Sequence, residues 1–154
     1  MKCLLPIFLL SLTTLVSTHS ATTYNGTVNG SQTASAESGS VVFNLSATGE
    51  LPGMLSLTVR HEGGNITGGT WKLTVLPANA DATSSENGTL TGSFSAGTLT
   101  LDANGIATAA SSVQLNVQSG TGQFEAITGG TGTLSLSADP ENSSKLGGPL
   151  ALSF

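Results

Sequence analysis

Apolar and polar side chains alternate with a period of two through much of this chain, and that pattern limits what it can fold into. Val41, Phe43, Leu45 and Ala47 share one side of a run whose other side carries Asn44, Ser46 and Thr48. The pattern returns at Leu55, Leu57 and Val59, at Trp71, Leu73 and Val75, at Leu99 and Leu101, and at Val113, Leu115 and Val117. It closes with Leu134 and Leu136, then Leu150, Leu152 and Phe154. A period of two puts each set on one face of a β-strand, so each run predicts a strand with one apolar and one wet face. Such faces are buried when two sheets meet or when one sheet curls around a single interior, and a barrel also removes the exposed edges. The expectation is an all-β fold, a single antiparallel β-barrel of roughly eight strands, with a β-sandwich as the alternative.

Composition agrees. The 154 residues suit one domain, and 43 Ser and Thr residues against 13 charged ones suit polar-faced strands better than helices. Asn-Gly occurs at residues 25–26, 29–30, 87–88 and 104–105, and this dipeptide accepts the positive φ angles of tight hairpin turns. Leu57–Val59 leading to Ile66-Thr67-Gly68-Gly69-Thr70, and Leu115–Val117 leading to Ile127-Thr128-Gly129-Gly130-Thr131, read as two versions of one hairpin.

The first residues read as an address. Lys2 gives a positive start, Leu4 to Val16 is largely apolar, and Ser17 to Ala21 offers small residues for processing, so residues 1–21 are expected to be a secretory signal peptide cut near Ser20 or Ala21. The apolar stretch is too short and too interrupted to span a bilayer, so no membrane span is expected in the mature chain. The expected location is secreted or periplasmic. Residues 22–40 are polar and read as a flexible N-terminal arm, with the barrel domain over 41–154. Removing the leader removes Cys3, the single cysteine, so stability must come from burial and strand pairing.

The segment Gly120-Thr121-Gly122-Gln123-Phe124, followed by Ile127-Thr128-Gly129-Gly130-Thr131-Gly132-Thr133-Leu134, resembles the Gly-Thr-Gly-x-Phe motif of allene oxide cyclase-like and dirigent-like barrels, including bacterial exported relatives. The resemblance implies a barrel with an apolar mouth. Cyclases of that kind act on a fatty-acid epoxide, and dirigent proteins steer coupling of phenoxy radicals, but their functional residues do not map onto positions here. On physical grounds the motif reads as architecture, with glycines permitting a bulged turn and Phe124 dropping into the barrel end.

Chemistry-bearing residues are few. The formal charge is −5 and no Lys/Arg cluster exists, which disfavours nucleic acid as a partner. His61 is the lone imidazole after the leader, and it becomes a general-base candidate only if Glu62 or Glu50 orients it. Consecutive strand residues point to opposite faces, so a solvated hairpin end is the preferred reading of Arg60-His61-Glu62. Trp71 and Phe124 are the weak ligand-binding candidates, with core burial the default for Trp71. One His and no Cys exclude a usual zinc or copper site, and the acidic stretches 81–86, 102–104 and 139–142 do not match a calcium loop. No metal and no cofactor are expected. Six Asn-x-Ser/Thr sequons, at Asn25, Asn29, Asn44, Asn65, Asn87 and Asn142, would matter in a eukaryotic secretory pathway and carry no functional assignment here.

The functional expectation is an exported barrel that binds a small apolar molecule. The alternatives are a cyclase- or isomerase-type enzyme, or a structural or adhesive surface module; a non-catalytic role ranks above an enzymatic one. Oligomeric state is left open by the sequence.

Overall fold

The computed structural model describes residues 20–34, 38–76, 87–142 and 144–154. Residues 1–19, 35–37, 77–86 and 143 lie outside these, so most of the expected signal peptide and the acidic stretch 81–86 carry no structural account.

Nine strands run along the described chain: β1 (Thr23–Ala34), β2 (Ser40–Gly49), β3 (Gly53–Glu62), β4 (Asn65–Val75), β5 (Gly88–Phe94), β6 (Thr98–Leu101), β7 (Ala107–Gly122), β8 (Gly130–Ala138) and β9 (Lys145–Ser153). Eight of them close an antiparallel ring in the order β1-β2-β3-β4-β5-β7-β8-β9, and β9 pairs back onto β1. The continuous ring is the barrel anticipated from the alternation, not the sandwich.

The ninth strand, β6, stands outside that ring. Ser93 of β5 faces Asn116 of β7, and Thr98 of β6 faces Ser111, five residues further along both strands. So β6 prolongs β5 along β7 after the interruption at 95–97, and it meets β4 at the single pair Asn65–Thr98. The two predicted hairpins are both present, as β3–β4 with Leu57 opposite Trp71 and as β7–β8 with Leu115 opposite Gly132.

The anticipated apolar positions point inward. Phe43, Leu45, Leu73 and Leu90 are fully buried, and the inward residues of all nine strands merge in one core. Eight strands leave an interior just wide enough for side chains to fill. Outside, hydroxyls pair across strands: Thr27 with Thr48 (2.9 Å), Thr89 with Thr121 (2.7 Å) and Thr91 with Ser119 (2.9 Å). Among the described outward residues of β7, β8, β9, β1 and β2, Lys145 alone is charged.

Two expectations change. The segment assigned to a flexible arm over 22–40 is in its larger part β1, paired with β9 from Thr23 to Ser31 and with β2 from Gly26 to Ala34, so the barrel begins well before residue 41. Of the four Asn-Gly pairs, those at 25–26 and 29–30 lie inside β1 rather than in turns. Asn104-Gly105 does occupy a reversal, between β6 and β7, with Gly105 at φ +77°.

Candidate functional site

Antiparallel order sorts the loops to two ends. One end gathers the start of β1, the β2–β3 turn, the end of β4, the β7–β8 connection and the end of β9. The other gathers the β3–β4, β6–β7 and β8–β9 reversals.

The Gly-Thr-Gly-x-Phe segment builds the first end. Gly122 takes φ +61°, a left-handed conformation that favours glycine, and the chain then folds back through bonds from Phe124 N to Thr121 O (3.2 Å) and from Ile127 N to Phe124 O (2.9 Å). Gly120 lets this turn lie flat, because a Cβ there would stand 2.5 Å from the Cβ of Phe124. Phe124, 6% exposed, meets Phe154 edge-on with ring centroids 5.9 Å apart, and Phe154 stacks on Tyr24 at 4.9 Å. Three aromatic rings therefore cover this end of the core. Thr22 and Phe154 exchange backbone hydrogen bonds (2.9 and 3.1 Å) beside them.

Two hollows adjoin the cluster. A cavity of about 10 Å³ between Tyr24, Leu51, Leu150 and Leu152 has room for one water at most. A half-open groove of about 450 Å³ runs past Ala21, Thr22, Ile127, Thr131, Ser153 and Phe154. Its floor is apolar, and its polar groups are hydroxyls and backbone.

The sequence-derived candidates are dispersed. Glu50 is exposed in the β2–β3 turn at the aromatic end, where its carboxylate accepts from Asn25 N and its own N–H donates to Asn25 O (3.2 Å). His61 and Glu62 close the ten-residue strand β3. At the usual rise per residue they stand about 30 Å along the strand from Glu50, so Glu50 does not orient the imidazole. His61 is half-buried, its Nδ1–H donating to Gly63 O (3.0 Å) and its backbone N–H to Gly39 O (2.8 Å). Glu62 is exposed at the hairpin tip. Trp71 is 2% exposed, with its indole N–H donating to Asn116 O (3.2 Å). Of the two binding candidates, Phe124 alone borders the aromatic end.

Tyr24, Ile127 and Phe154 were not singled out from the sequence as site residues. Tyr24 sits in a stretch read as an arm, and Ile127 was read only as part of a repeated hairpin unit, a pattern that speaks of architecture rather than of a site. Among the described residues no group of three His, Cys, Asp or Glu side chains could hold a metal ion, and no helix is long and apolar enough to cross a membrane. Comparison of the chain with protein-family models, curated proteins and solved structures gives no match.

Proposed function

We propose that the protein is an exported, non-catalytic binding module that holds a small apolar or aromatic molecule in the groove beside Ile127 and Phe154. The observation carrying this reading is the groove itself, whose volume of about 450 Å³ includes walls from Ser20 and Ala21 at the expected cleavage point, and of which Thr22, Ile127, Thr131, Ser153 and Phe154 belong to the mature chain; that volume falls in the usual range for small-molecule pockets. Its position at the mouth rather than within the barrel is supported by the buried side chains that the strands share in one core. The resemblance of residues 120–134 to cyclase-like and dirigent-like barrels supports the same end of the molecule, since the motif forms the turn that carries Phe124 and leads to Ile127. Hydroxyl and backbone groups in the lining suit orientation of a ligand rather than proton transfer at neutral pH. Export rests on the character of residues 1–21.

Titration with an apolar fluorescent dye tests the reading. One equivalent should bind the native protein, and Ile127→Asp, which places a charge in the half-buried wall, should weaken binding by at least about tenfold, the equivalent of 1.4 kcal/mol. Equal dye binding by the two proteins, or none by either, sinks it.

The outer wall, on which Lys145 is the one charge among the described residues of β7, β8, β9, β1 and β2, favours a second reading, adhesion to a neutral hydroxyl-rich matrix. Thr23, Asn25, Thr27 and Asn29 of β1 flank β9 on one side, and Thr131, Thr133, Ser135 and Ser137 of β8 flank it on the other. The outward residues of β9 between them, Gly147, Pro149, Ala151 and Ser153, are small. Retention on an insoluble neutral polysaccharide that survives Ile127→Asp and is lost on placing Glu at Thr133 would favour this reading over the groove.

A further inference from the structure

Asparagine followed by glycine carries a chemical liability, because the unhindered backbone nitrogen of glycine can attack the asparagine side chain. The four Asn-Gly pairs of this chain are identical as dipeptides, and the fold treats them differently. Gly26 pairs with Gly49 on β2 and Leu150 on β9, and Gly30 with Leu45 and Leu146. Gly88 pairs with Val75 on β4 and Gly122 on β7. Ring closure at any of these three would have to rotate the backbone out of a ladder held on both flanks. Gly105 belongs to no strand. It lies in the exposed Asp102–Gly105 reversal, and nothing stands within 4 Å of where its Cβ would be. Its N–H is tied by one bond, to Asp102 O (3.0 Å), which local opening of the turn releases.

We propose that Asn104 is a self-modification site, converting to isoaspartate and aspartate in the folded protein while Asn25, Asn29 and Asn87 are protected. The Gly105 nitrogen forms a bond to Cγ of Asn104 as the Cγ–NH2 bond breaks, and the proton lost from the Gly105 amide leaves with the amide nitrogen as ammonia. Water then opens the resulting succinimide at either carbonyl, giving aspartate or, with the main chain rerouted through Cγ, isoaspartate. No oxidant or cofactor enters, and water is the sole co-reactant.

The turn is built so that this change matters. Asp102 Oδ1 accepts from both Asn104 N and Ile106 N at 2.8 Å. An isoaspartate lengthens the main chain between those two donors, and either product sets a second carboxylate beside Asp102. Conversion therefore loosens the β6–β7 reversal, and it does so in one direction only.

The test is incubation of the purified protein in mildly alkaline buffer, folded and in urea, followed by peptide mapping that separates isoaspartate from aspartate. In the folded protein Asn104 should convert more than about tenfold faster than any of the other three, a margin set by the difference between opening a turn and opening a paired strand. In urea the four rates should converge. Asn104→Gln should abolish the fast phase and leave the slow sites unchanged, and Gly105→Ala should slow conversion at Asn104 itself. Conversion at Asn25, Asn29 or Asn87 as fast as at Asn104 in the folded protein overturns the proposal, as does an Asn104 that converts in urea and is inert when folded.

Discussion

Trp71 owes its place to a residue with no side chain. It lies opposite Gly92 across the β4–β5 pair, and a methyl on Gly92 would stand 2.7 Å from the indole nitrogen. The β5–β7 register shifts between Thr91 and Gly92, and beside it the indole N–H donates to the Asn116 carbonyl. Gly92→Ala should thus cost about 2 kcal/mol through overpacking, read as a lower urea midpoint with an unchanged slope. A second residue-scale contrast concerns buried polar groups. Gln32 reaches from β1 at the end opposite the aromatic rings, and its Oε1 accepts from Ala107 N at 2.7 Å. Removing that acceptor strands a backbone N–H on a residue only 1% exposed, so Gln32→Ala should cost about 1–3 kcal/mol. Ser40 is the converse: its buried Oγ has no hydrogen-bond partner among the described residues, and Ser40→Ala should be neutral or stabilising by up to about 1 kcal/mol. Equal losses in the two variants would show that this accounting of partners is wrong.

At the scale of elements, the β6–β7 reversal gives a pH-dependent expectation. Hydrogen bonds from the Ile106 backbone, then those from Asn104, hold the exposed Asp102 carboxyl below the ordinary aspartate range. A depressed folded value means that the ionised carboxylate favours the folded turn. That contribution is whole above the ordinary aspartate range and fades as pH falls through the lowered folded value. An NMR titration should place Asp102 below an unstructured aspartate, with the Ile106 amide shift following the same curve. An unshifted midpoint would mean that the two caps do not form in solution. The elements that were legible in the sequence are those with aliphatic residues at alternate positions, such as Leu55, Leu57 and Val59 of β3. Strand β1 was not, because its inward positions are Tyr24, Gly26, Val28, Gly30 and Gln32, a series with one buried aliphatic residue and two that look like turn punctuation. Its strand character comes from neighbours on both sides, which no local pattern records. The candidate site was less legible still. Phe124 announced itself through the glycines around it, whereas Tyr24, Ile127 and Phe154 converge from separate elements and acquire meaning only when the ring closes.

At the scale of the whole molecule, each of the eight ring strands has a hydrogen-bonded neighbour on both sides, and all share one core. No ring strand can leave without opening two ladders, so unfolding should be a single cooperative transition. Trp71 fluorescence, which reports the buried β4–β5 wall, and far-ultraviolet circular dichroism, which reports the sheet, should give coincident urea midpoints. Separated midpoints would point to a part of the barrel that melts alone. The shared core also bears on the proposed apolar binding at the mouth: an internal ligand would have to displace buried side chains such as Leu45 and Leu73.

The pairing that completes the ring joins its first strand to its last, Thr23 facing Ser153. During synthesis, every earlier strand waits on that partner. A nascent chain that has released β1 through β8 still carries two raw edges, one on β1 and one on β8, and has no way to join them. Closure of the ring is therefore withheld until β9 has been made, and until then both open edges stand ready for chaperones or for unwanted partners.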